Sequence, residues 1–157
     1  MDLKEAIRAS YIARGLTDSD LENLYSLAEW RSFESGQEIL RQFDESRDLL
    51  ILASGTADIL TVVGEAIGLI KPGMPIGEVS FLDGKTRSGT VVARAPCDVV
   101  VLSWQPLMQL LENSPEMCAR WLWNVSQVLC ARLRNSNQHL AALMAIEESE
   151  YTASGPK

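Results

Sequence analysis

The stretch Pro72-Gly73-Met74-Pro75-Ile76-Gly77-Glu78-Val79-Ser80-Phe81-Leu82-Asp83-Gly84-Lys85-Thr86-Arg87-Ser88-Gly89-Thr90-Val91-Val92-Ala93 decides how this chain is read. Gly77 allows close backbone approach ahead of one short helical turn, Glu78 to Leu82, whose free N–H groups can face an anion. Asp83-Gly84 reverses the chain, and Arg87-Ser88 leads into a β-type run. Arginine offers two parallel donors to phosphate oxygens, and serine adds a third. A carboxylate beside an anion has a different task, and Glu78 is suited to accept a hydrogen bond from a sugar hydroxyl. Together these residues describe a pocket for a ribose phosphate. Without a ligand, the same Glu78 and Arg87 read as a structural ion pair over a loop, and Ser88 as a turn residue.

Working outward, residues 30 to 104 break into short β-type runs. The clearest are 38–41, 49–52, 57–63, 90–93 and 98–102, with turn signals at Ser54-Gly55, Gly64, Pro72-Gly73 and Ala95-Pro96. Many short strands at close spacing point to a sandwich, roll or barrel. Residues 1–28 read as helices. Leu3, Ala6, Ile7 and Tyr11 recur at helical spacing, Gly15 interrupts, and Thr17 offers an N-cap before Leu21, Leu24 and Tyr25.

Helical period returns over residues 105–148. A short helix runs from Gln105 to Leu111. Ser114 then serves as N-cap and Pro115 as first residue of a helix that nothing breaks until about Glu148, roughly 50 Å at about 1.5 Å per residue. Leu122, Val125, Leu129, Leu133, Ser136, Leu140 and Leu143 form a stripe along it. The stripe is long enough to pack both on the β-body and on the same helix of a second chain. Trp121 and Trp123, two apart, cannot share a face, so one belongs to the core and the other to the surface or an interface. Thr152 to Lys157 read as a frayed tail, and Glu147-Glu148 as a solvated acid pair.

The run Gly77-Glu78-Val79-Ser80-Phe81, followed by Arg87-Ser88-Gly89-Thr90-Val91-Val92-Ala93, resembles the phosphate-binding cassette of the cyclic nucleotide-binding domain family. The resemblance covers nearly the whole chain and includes the Leu52-Ala53-Ser54-Gly55 turn. Ile76 stands in place of the more usual Phe, Thr86 in place of a frequent Pro, and Gly89 in place of Ala. The fold implied is mainly β with flanking helices: a double-stranded β-helix, or jelly roll, with N-terminal helices and a long C-terminal helix. One domain over residues 1–150 is expected.

The resemblance implies that Glu78 accepts from the ribose 2′-hydroxyl. Arg87 and Ser88, with backbone N–H groups around Gly77 to Val79, hold the cyclic phosphate. The final helix is similar to the dimer helix of the bacterial catabolite activators, where an Arg-Leu-x-x-Ser/Thr-Ser pattern reads the adenine edge. Arg132-Leu133-Arg134-Asn135-Ser136-Asn137 echoes it, which makes Ser136 and Asn137 candidates, with solvated helix positions as the alternative. In channel-type relatives an arginine caps the base, a role open to Arg132 or Arg134. The activators continue into a helix-turn-helix domain where this sequence ends, so a stand-alone module is expected.

Composition narrows the field. Fourteen Lys+Arg against twenty-one Asp+Glu give a formal charge of −7, which disfavours direct DNA binding. Cys97, Cys118 and Cys130, an odd and widely spaced set, read as small buried hydrophobes in a reducing cytoplasm. His139 is the sole histidine and reads as a surface residue. It leaves no zinc site, no cofactor-metal cluster of the cupin type and no histidine triad. No apolar run approaches the ~20 residues needed to cross a bilayer.

The expectation is therefore a cytoplasmic, non-enzymatic sensor of cAMP or cGMP. It would be a homodimer through the long helix and act on an unidentified effector protein by ligand-driven movement of that C-terminal helix. The alternative is a structural or dimerisation module that keeps the fold and binds nothing.

Overall fold

A computed structural model describes the backbone of residues 2–154 and the side chains through residue 146. Residues 155–157 of the expected tail and the Glu147-Glu148 side chains lie outside the described residues. The chain divides into two compact units, 1–124 and 125–157.

The first unit opens with α1 (Leu3–Ala9), a 3-10 turn (Tyr11–Ala13) and α2 (Asp18–Leu27). Asp2 and Thr17 begin the two helices with reciprocal capping boxes, using Glu5 and Asp20, so two of the free N–H groups at each helix start are satisfied. The strands follow as β1 (Ala28–Phe33), β2 (Glu38–Leu40), β3 (Leu49–Ser54), β4 (Ala57–Leu60), β5 (Ala66–Ile70) and β6 (Pro75–Ile76). After α3 (Glu78–Asp83) come β7 (Thr90–Ala93), β8 (Cys97–Leu102), α4 (Trp104–Asn113) and α5 (Pro115–Ser154). The last helix runs past Glu148, where the sequence stripe was expected to end, so residues 152–154 are helical.

Two four-stranded antiparallel sheets, in the orders β1-β8-β3-β6 and β2-β7-β4-β5, face each other. Leu50, Leu52, Ile76, Val99 and Val101 of the first sheet meet Ile39, Ala57, Ile70, Val91 and Ala93 of the second. Alternate residues of β3 and β8, among them Leu49, Ile51, Val100 and Leu102, are buried as well, and α1 packs on these strands. Burial on both faces explains their unbroken apolar runs. Each such side chain contributes on the order of 1.5–3 kcal/mol by leaving water.

The β3–β4 turn needs Gly55. Its φ is +79°, and a Cβ there would collide with the Pro96 carbonyl and lie 2.9 Å from Cys97 Sγ. Cys97 is buried and donates to Thr56 O at 3.1 Å and Ala95 O at 3.0 Å; burial pushes its thiol pKa up. The expectation of three buried cysteines holds only there. Cys118 is half-buried and Cys130 exposed, because the apolar neighbours of Cys130 lie on a helical surface that is itself largely exposed.

The first ten residues of α5 belong to the first unit. Trp121 is buried while Trp123 is 64% exposed, the split their spacing requires. Asn124 Nδ2 donates to Ile12 O at 3.0 Å and Arg14 O at 2.8 Å, tying the helix to the 3-10 turn. In the second unit α5 carries Leu133, Leu140 and Leu143, each well over half exposed. Among the described residues no helix is long and apolar enough to cross a membrane.

Candidate functional site

Gly77 has φ +83° and starts α3 from the left-handed region. A Cβ at this position would collide with Arg87 Nη1 and lie 3.1 Å from the Asp48 carbonyl oxygen, so the cassette closes only around a glycine. The short helix buries Glu78, Ser80 and Phe81 and leaves Val79 and Leu82 partly exposed. Phe81 meets Trp121 of α5 with ring centroids 5.1 Å apart, a tilted aromatic pair.

Gly84 ends α3, and the chain returns through Arg87 toward β7. Residues 42–44 run beside it. Phe43 N donates to Arg87 O at 3.0 Å and Arg87 N to Asp44 O at 2.8 Å. Gln42 adds a bond from Nε2 to Ser88 O at 3.2 Å. Phe43 adopts φ +72°, the one positive value among the described non-glycine residues, and its ring is exposed. Such a conformation in a bulky residue holds only where neighbouring contacts over-determine it, and the bonds to Arg87 do so.

Arg87 is 2% exposed, a buried cation in an acidic chain. Nη1 donates to Gly77 O at 3.1 Å and to Ser80 Oγ at 2.7 Å; Nη2 donates to Ser46 Oγ at 2.8 Å and to Asp48 O at 2.7 Å. Nε–H has no partner among the described residues. Burial lowers the guanidinium pKa, against the opposing pull of the Asp48, Asp44 and Glu78 carboxylates. Glu78 itself is 1% exposed, so acid and base are sequestered on either side of one short helix. Asp48 carries a second tie, its Oδ1 accepting from the Trp104 N–H at 2.9 Å where α4 begins.

Gly77, Glu78, Val79, Arg87 and Ser88 are thus gathered at α3 and the strand that follows, with Ser88 exposed beside the buried Arg87. Ser136 and Asn137 lie on the 125–157 unit, where both are exposed. Reading the sequence missed Ser46 and Asp48. Nothing in Asp44-Glu45-Ser46-Arg47-Asp48 marks them, because their partner lies about forty residues away and only the fold brings it near. Ser80 stood in the motif as a small residue, with no signal that its hydroxyl would meet the arginine.

A family model described as the cyclic nucleotide-binding domain matches residues 30–114. The chain belongs to the cyclic nucleotide-binding domain family. A solved cyclic nucleotide-binding domain from Methylobacillus flagellatus superimposes with a TM-score of 0.78 at 27% identity, covering 89% of this chain and 81% of that one. The cyclic AMP receptor protein of Thermus thermophilus is 26% identical over 147 residues, 91% of this chain and 66% of that protein. Glutaminase 1 of Bradyrhizobium diazoefficiens is 27% identical over 126 residues, 80% of this chain but only 20% of the enzyme. The chain therefore spans a fifth to about two-thirds of the length of these two relatives. Within the family match, residues 30–114 include β2 to β8, α3, Glu78 and Arg87 but not Ser136 or Asn137.

Proposed function

We propose that this protein is a receptor for a cyclic purine mononucleotide, cAMP ahead of cGMP, and works as a regulatory module rather than an enzyme. The observation that carries the reading is the buried Arg87 beside the buried Glu78 on a Gly77-led turn. A cation held out of water can meet a phosphate diester at low desolvation cost to the ligand's partner, and charge-assisted bonds to it are strong. Glu78 would accept from the ribose 2′-hydroxyl, Ser88 and the backbone at Gly77 to Val79 would add phosphate contacts, and Ser136 and Asn137 would read the base.

Signalling follows from linkage: a nucleotide that prefers one arrangement of the cassette shifts the population toward it by its difference in affinity. The Phe81–Trp121 contact supports a route from α3 into the start of α5. The exposed leucines of α5 support a homodimer through that helix, acting on a separate effector protein. The net charge of −7 argues against DNA as that partner, and unpaired cysteines suit a reducing cytoplasm.

Isothermal titration with cAMP and with cGMP at tens of micromolar ligand is expected to give saturable heat, larger in affinity for cAMP. No heat with either overturns the reading. One observation favours a second reading, a non-binding scaffold of the same fold: all four terminal N–H groups of Arg87 already have protein acceptors. Nucleotide absorbance near 260 nm in the purified protein separates the two.

A further inference from the structure

The four acceptors around Arg87 are of two kinds. Gly77 O and Asp48 O are main-chain groups, fixed by the backbone that carries them. Ser80 Oγ and Ser46 Oγ sit on side chains that can leave by rotation about one torsion. Ser80 is additionally bonded to Gly77 O at 3.2 Å, whereas Ser46 lies on an exposed loop. Ser46 also lines a cavity of about 280 Å³ together with Arg41, Asp44 and Asp48, so its hydroxyl has space to turn into.

An arginine grips a phosphate best with two parallel N–H groups. Arg87 has one N–H without a partner, at Nε, in an otherwise buried side chain. On that side the parallel N–H belongs to Nη2, which Ser46 and Asp48 hold, while the end-on pair of Nη1 and Nη2 is held by Ser80 and Ser46 among others. We infer that Ser46 and Ser80 are affinity-determining residues: their hydroxyls stand in for phosphate oxygens on Arg87, and the ligand must displace at least one to bind. This rests on the proposed cyclic nucleotide function and deepens it. A neutral hydroxyl is a weaker acceptor for a guanidinium than a phosphate oxygen, so the exchange runs toward the ligand while each serine still subtracts from the affinity.

The sign of the effect distinguishes this role from an ordinary supporting contact. Removing a competitor tightens binding; removing a group that merely positions Arg87 weakens it. Titration of wild type, Ser46→Ala, Ser80→Ala and the double variant with cAMP and cGMP tests the point. The double variant is expected to bind about tenfold tighter than wild type, a gain of about 1.4 kcal/mol, and without ligand to unfold at a lower temperature. If wild type binds and the double variant binds equally or more weakly, the inference falls while the receptor function stands. A variant that binds where wild type does not supports both. If no form binds either nucleotide, both fall. Should the double variant fail to fold, Ser46→Ala on its exposed loop carries the same test, with a gain of about threefold expected and no gain overturning it.

Discussion

The cassette and the far part of α5 both hold candidate ligand contacts, yet they are built in opposite ways. In the cassette Glu78 and Arg87 are buried, and the arginine is surrounded by oxygens from two separate stretches of chain. Beyond Val125 the polarity is reversed: Leu133, Leu140 and Leu143 are exposed, and Ser136 and Asn137 stand exposed among them. Burying a charge is tolerated only when its hydrogen bonds are supplied, so the cassette is a finished piece of structure. An exposed apolar stripe gains stability only when another surface covers it, at about 1.5–3 kcal/mol for each leucine buried. Function in the first region is a matter of what displaces existing bonds. In the second it is a matter of what arrives.

That contrast can be broken most directly at Arg87. Arg87→Ala removes the one buried cation among the described residues and strands two hydroxyls and two carbonyls. Stability is expected to fall by about 2–4 kcal/mol and nucleotide affinity by at least a hundredfold, read by denaturant titration and calorimetry. A variant as stable as wild type would show that the cassette is not held together by its arginine. Gly77→Ala attacks the same closure from the other side. It combines a left-handed backbone, costing about 1–2 kcal/mol, with a methyl group placed against Arg87 Nη1. Its expected signature is a lowered melting temperature with weakened binding, and unchanged binding would mean the guanidinium has room to move.

On the other side of the comparison, Leu133→Glu with Leu140→Glu is expected to convert a dimer to a monomer in sedimentation while unfolding stability of the 1–124 unit stays within about 0.5 kcal/mol. Wild type sedimenting as a monomer would remove the covered-stripe reading. The smallest effect lies away from both regions. Asp98 accepts from Ser32 Oγ at 2.6 Å and Ser54 Oγ at 2.8 Å, and these bonds hold its pKa below the usual carboxylate range. A depressed carboxylate stabilises the fold above its unfolded-state pKa of about 3.9, and the benefit is lost as the pH falls through the lower folded value. Asp98→Asn should therefore be less stable than wild type near neutrality, with the gap narrowing below about pH 4. A gap independent of pH would assign the loss to packing.

What could be read along the chain is what local chemistry dictates. Thr17 with Asp20 begins a helix, Asp83-Gly84 ends one, and the apolar runs of β3 and β8 are strands because both their faces are covered. The Gly77-Glu78 and Arg87-Ser88 pairs carried the family resemblance because their spacing is short and their residue types are specific. β1 starts two residues before the expected opening of the β-region at residue 30 and was not among the runs read there, since its side chains are largely exposed and show no alternation. β6 is two residues long and leaves no period to detect.

By itself, then, the sequence determined a β body of short strands with flanking helices, the acidic balance and the position of one cationic motif, because each follows from composition or from neighbours a few residues apart, while the jelly roll among sandwich, roll and barrel was what the family resemblance implied. Only the tertiary structure decided what surrounds the guanidinium. Ser46 and Asp48 reach Arg87 because the β2–β7 pairing is extended by the bonds of residues 42–44 to Arg87 and Ser88, which carries the 45–48 loop alongside, and contacts made in this way leave no trace in the spacing of residues along the chain.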